Sequence, residues 1–252
     1  MILDISNSGL EKELFLHGIR EKESTQILSE YLEEGMNIVD VGANIGYYTL
    51  IEADMVRDSG IVKGIEPTES SFKKLEKNCR LNNLENVKLL NKAVGSKQEV
   101  VSLNKRNSPN LNRVSNNSNG AQIEQNALDE LIDFNPDLVR MDVQGYELEI
   151  LKGMEETMNS EDLILFLEVH PSKIEKYYGG DMGEFWKILS QNNFEVKYLI
   201  RHPPRPKPVY FLKRDYPPKN VLQPDMDIED TIREYSDFFE WESVFRIFLE
   251  KK

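Results

Sequence analysis

Short apolar runs and amphipathic stretches alternate along most of the chain, and their periods predict alternating strands and helices. "REKESTQILSEYLEEG" puts Ile27, Leu28, Tyr31 and Leu32 on one helical face and stops at Gly35. Residues 37–41, 61–66 and 87–94 are compact apolar runs read as strands, with helical spacing at 46–55 and 70–82 between them. "ALDELIDF" predicts a short helix. "DLVRMDV" and "LILFLEVH" are two further strands around the helix "YELEILKGMEETM", and "EFWKILSQNN" is another helix. Before this alternation "KELFLHG" predicts a short strand, and residues 98–103 suit an antiparallel addition.

Continuous apolar strands separated by helices imply a mostly parallel sheet covered on both faces. The close is different. "FEVKYLI" and "VYFLKRD" flank a proline-rich turn too short for a crossover helix, so they should pair antiparallel. The expectation is an α/β, Rossmann-like fold with a mostly parallel seven-stranded sheet and a terminal antiparallel hairpin, helices lying on both faces. Residues 1–34 form an N-terminal strand and helix packed on the core, 35–215 the sheet domain, and 216–252 a C-terminal helical extension. In the extension Ile232, Tyr235 and Phe239 share one helical face, and Val244, Phe245 and Phe248 continue a second stripe. It is expected to pack back onto the domain; the alternative is a homodimer contact or a lid.

"IVDVGANIGYYTL" carries the first chemistry. Asp40, Gly42, Asn44 and Gly46 fall at a strand-to-helix junction, where glycines permit a tight turn and the helix start offers free N–H groups. The dinucleotide fingerprint spaces its glycines differently. A carboxylate at Asp40 would repel a pyrophosphate but suits a ligand carrying an ammonium and a sulfonium, as S-adenosylmethionine does. Glu66, ending the next strand, is placed to accept hydrogen bonds from ribose hydroxyls, a device that dehydrogenases share. At the third strand Ala93 falls where an adenine edge would lie.

Composition narrows the partners. The chain has 252 residues and a formal charge of −13, which argues against a dedicated nucleic-acid binder. Cys79 is the single cysteine, so an intramolecular disulfide is excluded. There is no signal-like leader and no apolar run long enough for a membrane span, so a cytoplasmic protein is expected. The Asn/Ser-rich stretch from 104 to 120 is read as a flexible loop or a lid.

Five fragments then stand in order: "VDVGANIGYYT", "GIEPTESSFKKLEKNCRLNN", "NKAVGS", "VRMDVQGYELEILKGM" and "LEVHP". Together they resemble the FkbM family of S-adenosylmethionine-dependent methyltransferases, from about residue 35 to about residue 171. The resemblance implies a class I methyltransferase fold, S-adenosylmethionine as cofactor, and O-methylation of a hydroxyl on a sugar, glycolipid or secondary metabolite. Where the family reads K-I-D-V-E-G-x-E, this chain has Arg140 for the lysine and Gln144 for the acid.

An in-line methyl transfer needs the acceptor oxygen aligned, and a base near a hydroxyl helps by about 10²–10⁴. Asp142, Glu147, Glu168 and His170 follow two strand ends. Glu168 and His170 share a face by the strand period. His170 is the first choice of base because its ordinary pKa lies near 6.5, with Asp142 orienting the substrate or serving as base itself. Arg140 and Asp142 share a face too, and an ion pair is the plainer account. The four groups could ligate a divalent cation, but no tight metal-spacing motif supports it and none is favoured. The rival functions are an RNA or protein methyltransferase, a non-catalytic nucleoside-binding module and a dehydrogenase.

Overall fold

The runs expected as parallel strands form strands of one sheet, the one at 87–94 only in its first half. The computed structural model describes residues 1–5, 10–104, 113–115, 120–201, 221–241 and 244–252. After helices α1 (Leu10–His17) and α2 (Lys22–Tyr31) come β1 (Asn37–Val41), α3 (Tyr47–Val56), β2 (Ile61–Ile65), α4 (Glu69–Leu81) and β3 (Val87–Leu90). Four short strands follow: β4 (Ala93–Gly95), β5 (Glu99–Asn104), β6 (Arg113–Ser115) and β7 (Ala121–Ala127). The chain then runs through α5 (Leu128–Leu131), β8 (Leu138–Met141), α6 (Glu147–Leu151), β9 (Ile164–Val169), α7 (Pro171–Tyr178), α8 (Met182–Gln191) and β10 (Phe194–Arg201). It closes with β11 (Val221–Leu222), β12 (Met226–Asp227), α9 (Ile228–Glu234), α10 (Ser236–Trp241) and β13 (Phe245–Lys251).

The main sheet runs β3-β2-β1-β8-β9-β13-β10, with the short β11 and β12 on the outer edge of β10. The five strands from β3 to β9 are parallel, and β13 is antiparallel to both of its neighbours. Both faces are covered, which is why these strands read as unbroken apolar runs. Val39, Val41, Val139, Met141, Leu165 and Leu167 enter one core cluster, while Ile38, Leu138, Phe166 and Phe248 enter another, as the two-residue period requires. Among the described residues no helix is long and apolar enough to cross a membrane.

Four expectations change. "KELFLHG" is not a strand: it lies in α1, which Gly18 closes with φ +71° and an N–H bond to the Leu14 carbonyl of 2.8 Å. The run at 87–94 breaks at Asn91 and Lys92, and β4 leaves for a second sheet of order β4-β7-β5-β6, which also takes in residues 99–104. The segment 216–252 is not wholly helical. Phe245 and Phe248, expected on a helix stripe, lie in β13, buried between β9 and β10. A seven-residue run rich in aromatic and aliphatic side chains satisfies both periods, and two strand edges needing partners decide for the strand. The reversed strand beside β10 is therefore β13. "VYFLKRD" lies outside the described residues, as does most of 104–120, where Arg113–Ser115 form β6.

Candidate active site

The turn after β1 is shaped by close approach. Gly42 has φ +81° and donates its N–H to the Ile65 carbonyl at 2.9 Å; a Cβ there would collide with the carbonyl oxygen of Asp142. Gly46 has φ +91°, and its Cβ would lie 2.6 Å from Leu75 Cδ1. Between them Asn44, at φ +53°, donates its backbone N–H to Glu66 Oε2 at 3.0 Å. Glu66 Oε1 accepts the Thr68 N–H at 2.7 Å. Burial pushes the Glu66 carboxyl up to about 7, against the downward pull of the Thr68 and Asn44 hydrogen bonds.

A cleft opens here along the carboxyl ends of the strands, enclosing about 750 Å³ with its mouth. Gly42, Asn44, Glu66 and Ala93 line it, so four of the six expected cofactor contacts converge. Leu103 of β5 and Val114 of β6 wall it from the second sheet.

Asp40 takes a different place. It is fully buried; Thr49 Oγ1 donates to its Oδ2 at 2.6 Å and Arg140 Nη1 to its Oδ1 at 2.7 Å. Both oxygens are taken, and the carboxylate underlies the turn rather than facing the cleft. Gly46 likewise sits behind the cleft wall, against Leu75. Burial disfavours charge on Arg140, yet Asp40 outweighs it and raises the guanidinium pKa. Glu52, buried beside this pair, has its carboxyl pushed well up by burial and by Asp40.

His170 corrects the first choice of base. It is 1 % exposed, with Nδ1 2.7 Å from Glu147 Oε1 and Nε2 3.4 Å from Glu168 Oε1. Burial alone would lower its pKa, but the two carboxylates push it up to about 10. At neutral pH the imidazole is a structural cation with no lone pair free to take a proton. Glu168 is engaged as well: Arg246 Nη2 approaches its Oε2 to 2.5 Å, an ion pair outside hydrogen-bonding alignment. Despite burial, Arg246 and His170 hold the Glu168 carboxyl well below its usual range.

Asp142 does face the cleft. Its Oδ1 accepts from Gln144 Nε2 at 3.0 Å, while among the described residues Oδ2 has no hydrogen bond and faces Arg140 Nη2 at 3.9 Å. Lys173 Nζ donates to Gln144 Oε1 at 2.6 Å. An amide at 144 donates to Asp142 and accepts from Lys173 at once; an ionised acid could not donate. One donor atom each of Asp142, Glu168 and His170 lies within 4.8 Å of the others. Two of the three already have their charges matched by protein groups, so this donor set does not call for a cation.

Sequence reasoning missed the groups that complete the site. Arg20 lines the cleft from the segment before α2. Glu21 accepts from Tyr48 Oη at 2.9 Å and pairs with Arg246 at 2.8 Å. No motif marks Arg20 or Glu21. Arg246 did carry a signal, an arginine inside the apolar run "FRIFLEK", which implies a buried acid opposite.

The methyltransferase FkbM domain matches residues 40–196. Among curated proteins no sequence matches the chain. Of solved structures, an FkbM methyltransferase from Methylobacillus flagellatus KT is similar with a TM-score of 0.54 at 20% identity, over 75% of this chain and 47% of that one. The chain thus spans about half the length of that protein. A SAM-dependent O-methyltransferase from Thermotoga maritima has a TM-score of 0.52 at 16% identity, over 95% of this chain and 69% of its own. A precorrin-6y C5,15-methyltransferase from Geobacter metallireducens GS-15 reaches 0.52 at 12% identity, over 100% and 98%. With the domain match over more than half its length and a sheet reversed at the strand next to last in order, the chain has the class I methyltransferase fold and belongs to the FkbM methyltransferase family.

Proposed function

We propose that the protein transfers a methyl group from S-adenosylmethionine to a hydroxyl oxygen of a sugar, glycolipid or other small molecule. The observation that carries this reading is Asp142, a carboxylate at the cleft floor whose Oδ2 makes no hydrogen bond within the described residues.

The donor set along the cleft fits the cofactor. Glu66, held by the Thr68 and Asn44 N–H groups and the Thr68 side chain, keeps acceptor capacity towards the cleft for the ribose. Gly42, Asn44 and Ala93 line the cleft, so Gly42 and Asn44 would leave the backbone open beneath the sugar and Ala93 would border the base. When bound, the cofactor supplies an electrophilic methyl carbon on a sulfonium.

The chain's own residues supply alignment and a proton acceptor. Asp142 Oδ2 would accept the proton of the acceptor hydroxyl and release it to solvent, leaving the oxygen to take the methyl group that the cofactor would supply. Gln144 and Arg140 fix the orientation of that carboxylate. The experiment is a labelled-donor assay over a panel of hydroxylated acceptors, with mass analysis of the product. Asp142→Asn should lower kcat by about 10²–10⁴ with donor affinity unchanged. Full activity in that variant, or methyl transfer to nitrogen or carbon alone, would sink the proposal.

A further inference from the structure

The segment before α2 is built around an unusual backbone. Glu21 has φ +49°, a left-handed conformation that non-glycine residues rarely adopt. Its carboxylate is held there by Tyr48 Oη at 2.9 Å, Arg246 Nη2 at 2.8 Å and Arg20 Nε at 2.6 Å. The backbone of Arg20 is anchored too: its carbonyl accepts from Thr25 Oγ1 at 2.9 Å, and its N–H lies 3.2 Å from Tyr47 Oη. Tyr47 is the first residue of α3, directly after the glycine turn.

These contacts hold the Arg20 side chain in the cleft wall at 20 % exposure. Within the described residues its guanidinium pairs with Glu21 through Nε, leaving the two terminal nitrogens without a hydrogen bond. A largely desolvated guanidinium with two free donors in one plane is suited to a carboxylate.

The order of the strands says which end of a ligand meets it. Asp142 follows β8, Gly42 follows β1 and Glu66 follows β2, so Asp142 and Glu66 stand two strand spacings apart, roughly 10 Å. A nucleoside with its ribose on Glu66 and its base towards Ala93 extends its other end across the glycine turn to Asp142 and Arg20. In S-adenosylmethionine that end bears a carboxylate, opposite in sign to the Arg20 guanidinium that lines the cleft there.

We propose that Arg20 binds the carboxylate of the donor's amino-acid end, with Glu21 as the positioning residue that aims it. The inference rests on S-adenosylmethionine being the donor. Arg20 therefore selects the donor and not the acceptor.

Isothermal titration of the full chain with S-adenosylmethionine and with its decarboxylated analogue tests this. The wild type should prefer the carboxylate-bearing compound by about 10- to 100-fold. Arg20→Gln should remove that preference while binding the decarboxylated analogue within about twofold of wild type, which also reports that the variant is folded. Arg20→Lys should restore part of the preference. Equal losses for both compounds in Arg20→Gln, or an unchanged preference, would overturn the inference while leaving the donor assignment intact. A wild type that binds neither compound would overturn the donor assignment and the inference together.

Discussion

Asp40 and Arg140 stand directly opposite each other on neighbouring parallel strands and meet at 2.7 Å in a buried ion pair. The guanidinium also lies over the Tyr48 ring, with its central carbon 3.8 Å from the ring centroid. The acid that opens the glycine motif is thus a foundation of the turn, and the arginine reaches from that foundation towards Asp142.

Removing one partner of such a pair leaves an uncompensated buried charge. Arg140→Met should lower stability by about 3–5 kcal/mol, read from urea denaturation. Asp40→Asn should do the same while the folded fraction keeps its donor affinity. A large loss of affinity in folded Asp40→Asn, with stability intact, would return Asp40 to the cofactor.

His170 should stay protonated across the neutral range. Its pKa is raised from 6.5 to about 10, so its contribution to stability is complete below about pH 6.5 and fades as pH rises towards 10. Nitrogen NMR of the labelled imidazole should show no titration near 6.5. His170→Gln should flatten the alkaline decline in stability. An imidazole that titrates at its ordinary pKa would restore His170 as a candidate base.

Donor affinity should depend on pH through Glu66. Its carboxyl pKa is raised to about 7 by burial, and the ionised form is the better acceptor for two hydroxyls. Affinity for S-adenosylhomocysteine should therefore rise as pH goes from about 6 to about 8. Glu66→Gln should bind roughly tenfold more weakly and lose the pH dependence. A wild-type profile as flat as the variant's would count against Glu66 as the ribose contact.

Gly42→Ala tests the close approach of β8. The added methyl meets the Asp142 carbonyl in a backbone that disfavours any Cβ, so strain acts on the turn and on the candidate base together. Donor binding and transfer should both fall by more than tenfold, with circular dichroism near that of the wild type. Unchanged kinetics would mean that the turn relaxes without cost.

Much of this was local and therefore legible. The parallel strands read correctly because residues buried on both faces of a sheet must be apolar throughout, and 37–41 is strand in both accounts. The glycine turn was legible because left-handed backbone and close approach demand particular residue types at fixed offsets. The place of Asp142 and Glu66 in the cleft wall followed from their positions at strand ends.

The parallel strands and the glycine turn were legible because short-range periodicity and backbone sterics produce them. Which ionisable groups are free emerged from long-range packing. The His170 proton is held by Glu147, 23 residues away, and Glu168 was claimed by Arg246 of a strand that could equally have been a helix. Asp40 was claimed by Arg140, 100 residues on. Charge state depends on burial and on partners distant along the chain, and neither is written in the spacing of a motif.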